Sequence, residues 1–176
     1  MALQVSEYVR PFNRDGRLFI REAVDSVLQA SRNGEAAVVQ VKAPRTKPPA
    51  PRPEPKRIPI PPTISHFVMN LPASAITFLG HYRGVYHGHE ELFAEGTGRK
   101  LPMVHTHCFA LKSDDEVPIN DICERITKEL GFPVRPGDPE NEGEVAIFDV
   151  RDVAPAKRMF CASFRLPREI AFAPRE

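Results

Sequence analysis

Ile64-Ser65-His66-Phe67-Val68-Met69-Asn70-Leu71-Pro72-Ala73-Ser74-Ala75-Ile76-Thr77-Phe78-Leu79 is the stretch on which the fold turns. Ile64 to Leu71 is a nearly continuous apolar run of strand length, the mark of a strand covered on both faces. Pro72 stands where a helix can begin, since the N–H it lacks would have had no helical partner there. Ala75, Ile76 and Leu79 then recur on one helical face. Strand, tight turn and helix in that order make one unit of an α/β sheet.

The same unit repeats on either side. Glu7 to Phe12 reads as a strand leading into the polar turn Asn13-Arg14-Asp15-Gly16-Arg17, and Phe19, Ile20, Ala23, Val24, Val27 and Leu28 follow at helical spacing until Asn33-Gly34. Leu101 to Leu111 is another strand, followed by a helix marked by Ile119, Ile122, Cys123, Ile126 and Leu130 that stops at Gly131. The end differs: Val145 to Val150 and Met159 to Leu166 are strands joined around Ala154-Pro155-Ala156, with no helix between them. The pattern predicts a mostly parallel sheet closed by a terminal antiparallel hairpin, the later strands of a Rossmann-like methyltransferase sheet whose N-terminal part is missing.

One segment interrupts the alternation. Ala36 to Val41 is a short apolar run that could form an extra strand, and from Pro44 to Pro62 nine prolines stand among Arg45, Lys47, Arg52, Lys56 and Arg57. That composition cannot bury a core and favours extended polyproline conformation. Residues 42–63 are therefore expected to be a basic, proline-rich tether inserted in a single domain spanning 1–176.

Composition narrows the setting without naming a partner. With 24 basic and 23 acidic residues, no strong overall field draws the chain to nucleic acid or membrane, although a local basic face can exist. Cys108, Cys123 and Cys161 are odd in number and widely spaced in apolar surroundings, which suits reduced thiols in an intracellular protein. No apolar run is long enough to cross a bilayer, and no secretory leader is evident.

In sheets of this kind ligands bind beyond the carboxyl ends of the parallel strands. Asn13 to Arg17, Asn70 to Ser74, Ala110 to Pro118 and Arg151 to Arg158 fall on that edge, whereas the tether and Phe132 to Glu142 begin on the other.

Ser65 to Ala75, with Val68-Met69-Asn70-Leu71-Pro72 at its centre, resembles the catalytic segment of the archaeal and eukaryotic tRNA guanine-37 N1-methyltransferases. Asn13-Arg14-Asp15-Gly16-Arg17-Leu18-Phe19-Ile20, Phe109-Ala110-Leu111-Lys112 and Val150-Arg151-Asp152-Val153-Ala154-Pro155-Ala156-Lys157-Arg158-Met159 agree with the same family in order and spacing. The resemblance implies that S-adenosylmethionine is the methyl donor and tRNA the substrate. It implies that Asp15, with Gly16 beside it, meets the adenine of the cofactor, a role open to a carboxylate because it only accepts hydrogen bonds. Asp15 could equally be a helix N-cap.

Asn70, by the same resemblance, touches both cofactor and guanine, and Leu71 and Pro72 hold its loop rigid. The other reading of these three is an ordinary helix-entry turn. N1 of guanine carries a proton, so methylation there needs a base near N1 and a donor near O6. The family's base, its glycine-rich loop and the acidic residue for the ribose lie upstream of the matched region. The chain alone is therefore expected to bind S-adenosylmethionine weakly or not at all and to be inactive.

Lys157 and Arg158 are candidates for RNA phosphates, against the alternative of solvated turn charges. His105, His107 and Cys108 do not make a metal site, since the histidines share one strand face and Cys108 points away. His81, His87 and His89 are given no role. Two other readings stand beside the leading one: a non-catalytic fragment or interaction module, and an amino-methyltransferase with an Asn-Pro-Pro-type loop. If the family's usual strand order holds, the Ile64–Leu71 strand is left at an open edge, where a homodimer could form.

Overall fold

A computed structural model of the chain describes residues 9–39, 53–111, 117–138 and 144–175. Among the described residues three α-helices, α1 (Gly16–Arg32), α2 (Val117–Leu130) and α3 (Arg168–Ala171), and two 3-10 helices, Ala75–Tyr82 and Glu90–Phe93, accompany six strands. The strands are β1 (Ala36–Val39), β2 (Lys56–Pro59), β3 (His66–Met69), β4 (Met103–Leu111), β5 (Val145–Ala154) and β6 (Lys157–Arg165).

The main sheet has the order β3-β4-β6-β5. β3 and β4 are parallel, with His66 opposite Met103 and Met69 opposite Thr106, and the 3-10 helix Ala75–Tyr82 lies on the crossover between them. β6 runs antiparallel to β4 and pairs with β5 as the hairpin that the sequence implies. The expected α/β architecture, later parallel strands closed by an antiparallel hairpin, is the one observed. β3 is the terminal strand of this sheet among the described residues.

Strand periodicity decides where the core sits. Along β4, Val104, Thr106, Cys108 and Ala110 are buried, while Met103, His105, His107 and Phe109 on the other face are half-buried. Val104, Cys108 and Ala110 join Leu79 of the 3-10 helix, Ile122 and Ile126 of α2, and Phe160, Ala162 and Phe164 of β6 in one cluster. α1 adds Ile20, Val24 and Leu28, spaced four residues apart on a single face. Burial pushes the Cys108 thiol up to about 11, so it stays a neutral, inert core side chain.

Local chemistry differs from the sequence expectation in three places. The strand expected over Glu7–Phe12 is not formed in its described part, residues 9–12: it pairs with no strand, and Val9 and Phe12 are about half exposed. A strand exists only where a neighbour satisfies its backbone, so an apolar run alone does not make one. Within the expected tether, Lys56–Pro59 is a strand, because β1 offers it an antiparallel ladder with Ala36 opposite Pro59; residues 40–52 lie outside the described residues. The helix after Pro72 starts later, at Ala75, after a turn in which the N–H groups of Ser74 and Ala75 both donate to Leu71 O.

Residues 83–100, which periodicity leaves blank, are anchored by the C-terminal segment. The N–H groups of Gly84 and Tyr86 donate to Ile170 O and Ala171 O at 2.8 Å. A Cβ at Gly84 would lie 2.7 Å from Ala173 O, and its φ of +68° suits glycine alone.

Glu144 fastens the start of the hairpin. The Arg165 guanidinium donates through Nε and Nη2 to its two carboxylate oxygens, Lys100 Nζ donates at 3.0 Å, and Arg165 Nη1 reaches Leu101 O at 2.6 Å. Those bonds, led by the one from Arg165, hold the Glu144 carboxyl down at about 2, below the ordinary value. A carboxyl whose folded pKa is depressed stabilises the fold above its unfolded pKa and stops doing so as pH falls through the folded value. Melting temperature is thus expected to drop between about pH 4.5 and 2, and Glu144→Gln to melt lower than wild type at neutral pH while showing a shallower acid dependence. Thermal melts of both proteins across that range check this; parallel curves would rule out the linkage.

Candidate active site

Two of the turns named by the sequence, those of Gly16 and of Asn70-Leu71, meet beside β3. A hollow of about 410 Å³ opens there, and Gly16, Asn70 and Leu71 line it together with Phe19, Phe78 and Tyr82. Asp15 and Pro72 flank this lining through their neighbours in sequence. Lys157 and Arg158 are not part of this lining; they stand opposite Leu111 and Ala110 at the carboxyl end of β4.

Asp15 is the N-cap of α1: its Oδ1 accepts from Arg17 N at 2.8 Å, satisfying one of the donors that a helix start leaves free. Capping uses one carboxylate oxygen and leaves the other able to accept. Gly16 is packed against the neighbouring element, since a Cβ there would come within 3.0 Å of the Phe78 ring. Arg17 completes the junction, with its guanidinium 4.2 Å from the centre of the Phe78 ring and Nη2 3.4 Å from Thr77 Oγ1. The sequence gives Phe78 no role and Arg17 only a place in the turn on the ligand edge. The only signal was an aromatic residue just beside the buried stripe of Ala75, Ile76 and Leu79.

Asn70 is exposed at the rim of the hollow, and its amide makes no hydrogen bond with the described residues. Donor and acceptor are both available to a ligand. Its loop is fixed from three sides. Pro72 O accepts from Phe109 N of β4 at 3.3 Å, Leu71 O closes the helix-entry turn, and Phe67 packs edge-on against Tyr82 with ring centroids 5.1 Å apart. The two readings of Asn70-Leu71-Pro72, helix-entry turn and ligand loop, are therefore compatible: the turn holds the amide out.

The lining is apolar except for His66, Asn70 and the Tyr82 hydroxyl, and contains no carboxylate among the described residues. Such a surface fits a flat, largely apolar ring, with Asp15 and Asn70 at its margin as hydrogen-bonding groups. The described residues there offer nothing comparable for a pair of ribose hydroxyls or an amino-acid carboxylate.

On the hairpin, Lys157 Nζ stands 3.9 Å from the centre of the Phe109 ring. Arg158 is paired with Asp149 at 2.9 Å and with Asp152 at 2.7 Å. Among the described residues no group of three or more histidine, cysteine or acidic side chains is arranged to hold a metal ion. No helix among them is long and apolar enough to cross a membrane.

No family model matches the chain. It is 69% identical over 172 residues to the tRNA (guanine(37)-N(1))-methyltransferase of Neurospora crassa, covering 98% of this chain and 36% of that protein. Proteins of the same name from Fusarium vanettenii and Schizosaccharomyces pombe are 65% and 42% identical, with 98% and 97% of this chain matched to 37% and 36% of theirs. A crystal structure of wild-type Trm5b from Pyrococcus abyssi aligns at 21% identity over 58% of this chain and 25% of that one, with a TM-score of 0.36, too slight a likeness to carry an argument. The chain spans little more than a third of the length of these relatives, and along nearly its whole length it is similar to that part of proteins named tRNA (guanine(37)-N(1))-methyltransferase.

Proposed function

We propose that the whole protein carrying this segment transfers the methyl group of S-adenosylmethionine to N1 of guanine-37 in tRNA. The observation that carries this reading is the meeting of the Gly16 turn and the Asn70-Leu71 turn on one hollow beside β3. The cofactor, when bound, supplies an electrophilic methyl group. Asp15 accepts from the exocyclic amine of its adenine, Gly16 lets the ring approach, and the hollow excludes water from the ring faces. Asn70 holds the guanine edge with its amide, while Leu71 and Pro72 keep that amide in place, as a fixed dipole must be to act in the transition state. Lys157, and with it Arg158, meets RNA phosphates from the first residues of β6, beside the hairpin turn.

The proton on N1 has to leave during transfer, and the hollow's described lining offers no carboxylate to take it. In this reading the base comes from the remainder of the protein, and the 176-residue chain alone is inactive. The terminal position of β3 suits a strand arriving from elsewhere in the whole protein or, in the isolated chain, from a second copy.

Labelled S-adenosylmethionine and a tRNA transcript test the proposal. The whole protein is expected to label a transcript with guanine at position 37 and not one with adenine there, and the isolated chain to label neither. Equal labelling of both transcripts by the whole protein would defeat the assignment. Calorimetric titration tests the partial pocket separately: micromolar binding of S-adenosylmethionine by the isolated chain would show that its site is sufficient.

A further inference from the structure

A second polar hollow lies at the opposite end of β3 from Asn70. It measures about 330 Å³ and is lined by Thr63, Ser65, His66, Arg99, Lys100 and Arg165, among others, with no carboxylate in its described lining. Three cations, two hydroxyls and an imidazole thus face one space.

Each is positioned from its own element. Arg99 follows a turn in which Gly98 adopts φ +67° and Arg99 N donates to Thr97 Oγ1 at 3.3 Å. Lys100 and Arg165 are held by Glu144, which offsets part of their charge from behind. Arg99 makes no ion pair among the described residues, and neither the Thr63 nor the Ser65 hydroxyl has a protein partner among them. His66 is fixed by a row of side chains across three strands. Its Nδ1 is 3.0 Å from His105 Nε2, and His105 Nδ1 is 2.8 Å from Ser163 Oγ. The two imidazoles are nearly parallel, 19° apart, with centroids 5.3 Å apart, a separation that places the rings end to end along the N···N contact. That bond occupies Nδ1 of His66 and leaves Nε2 as its remaining polar atom.

We propose that this hollow binds a phosphate group, with Arg99 as the principal contact, Lys100 and Arg165 adding charge, and Thr63, Ser65 and His66 donating hydrogen bonds. A planar guanidinium with no competing carboxylate matches two phosphate oxygens at once, and clustered hydroxyls fill the remaining acceptor sites. The site shares His66 with the methyl-transfer hollow but is otherwise lined by different residues, and it stands whether or not that reading holds. The phosphate comes from an RNA backbone or from a small phosphate-bearing solute; the chemistry of recognition is the same.

The test is an NMR titration of the 176-residue chain with inorganic phosphate, followed at the His66 imidazole, for wild type, Arg99→Gln and, as a control, Lys128→Gln on α2. Phosphate is expected to shift the His66 resonances, and Arg99→Gln to raise the Kd by about tenfold or more, as loss of a charge-assisted contact does, with Lys128→Gln unchanged. An unmoved His66, or equal weakening by both substitutions, overturns the site. A second arm measures tRNA binding. Competition by phosphate together with weaker binding to Arg99→Gln identifies an RNA phosphate as the occupant; unchanged tRNA binding beside intact phosphate binding assigns the site to a small solute.

Discussion

Replacing Asn70 by alanine in the whole protein is expected to lower kcat/KM for methylation of guanine-37 by about a hundredfold to a thousandfold, the usual consequence of deleting one preorganised donor. The fold should barely notice. Asn70 is exposed, its amide makes no hydrogen bond with the described residues, and its loop is held by the Leu71 and Pro72 carbonyls and by the Phe67–Tyr82 contact. The informative result is therefore a split: a large loss in turnover with a melting temperature close to wild type. Single-turnover measurements at saturating tRNA and cofactor separate the chemical step from binding. A loss confined to KM would make Asn70 a binding group only, and full activity would remove it from the site.

That split follows from what was legible in the sequence. Asn70-Leu71-Pro72 and Asp15-Gly16 announce themselves because a short polar turn after an apolar run can be placed on the ligand edge by topology alone. Their neighbours could not be read in the same way. Phe78 reaches the hollow by leaning toward Gly16, and Arg17 by lying across the Phe78 ring, both long-range contacts that no local spacing encodes. The same holds for Arg158. In the sequence it is a free turn cation, but antiparallel pairing of β5 with β6 brings Asp149 and Asp152 against it. Its phosphate-binding role would require exchanging these partners, whereas Lys157, resting on an aromatic face, has only a cation–π contact to give up.

For the fold, legibility follows period and partner. α1 and α2 were visible because their buried residues repeat at helical spacing, and β4 because its length and apolar content leave little else. Glu7–Phe12 misled because strand propensity says nothing of whether a neighbour stands alongside. Lys56–Pro59 misled in the opposite sense: proline and basic composition argue for an extended tether, and the two-stranded ladder with β1 is decided by chain return. The segment 83–100 lacks a helical or strand period because its own bonds are short turns, such as His87 N–H to Gly84 O and Leu92 N–H to His89 O, and the carbonyls of Ile170 and Ala171 hold it from outside.

Tyr82 joins the core to the candidate site, and Tyr82→Ala is expected to cost about 3–5 kcal/mol, the range for removing a large buried aromatic. The side chain is fully buried, lies edge-on to Phe67, and directs its hydroxyl toward Met69 Sδ at 3.7 Å. Burial raises its phenol pKa well above the ordinary value, so it stays neutral throughout the working pH range. Phe67 and Met69 belong to β3, which among the described residues is paired on one side only and by just four residues. Tyr82 is thus a principal tie between the edge strand and the layer beneath it. Loss of the ring should lower the melting temperature by about 10 °C in a chain of this size and increase hydrogen exchange at Phe67–Met69 more than in β4–β6. Tyr82→Phe keeps the ring and gives up only a long contact to sulfur, a weak acceptor, so its melting temperature should stay within a few degrees of wild type. If Tyr82→Ala loosened β5 and β3 to the same extent, the tyrosine would be a general core residue and not the anchor of the strand that carries Asn70.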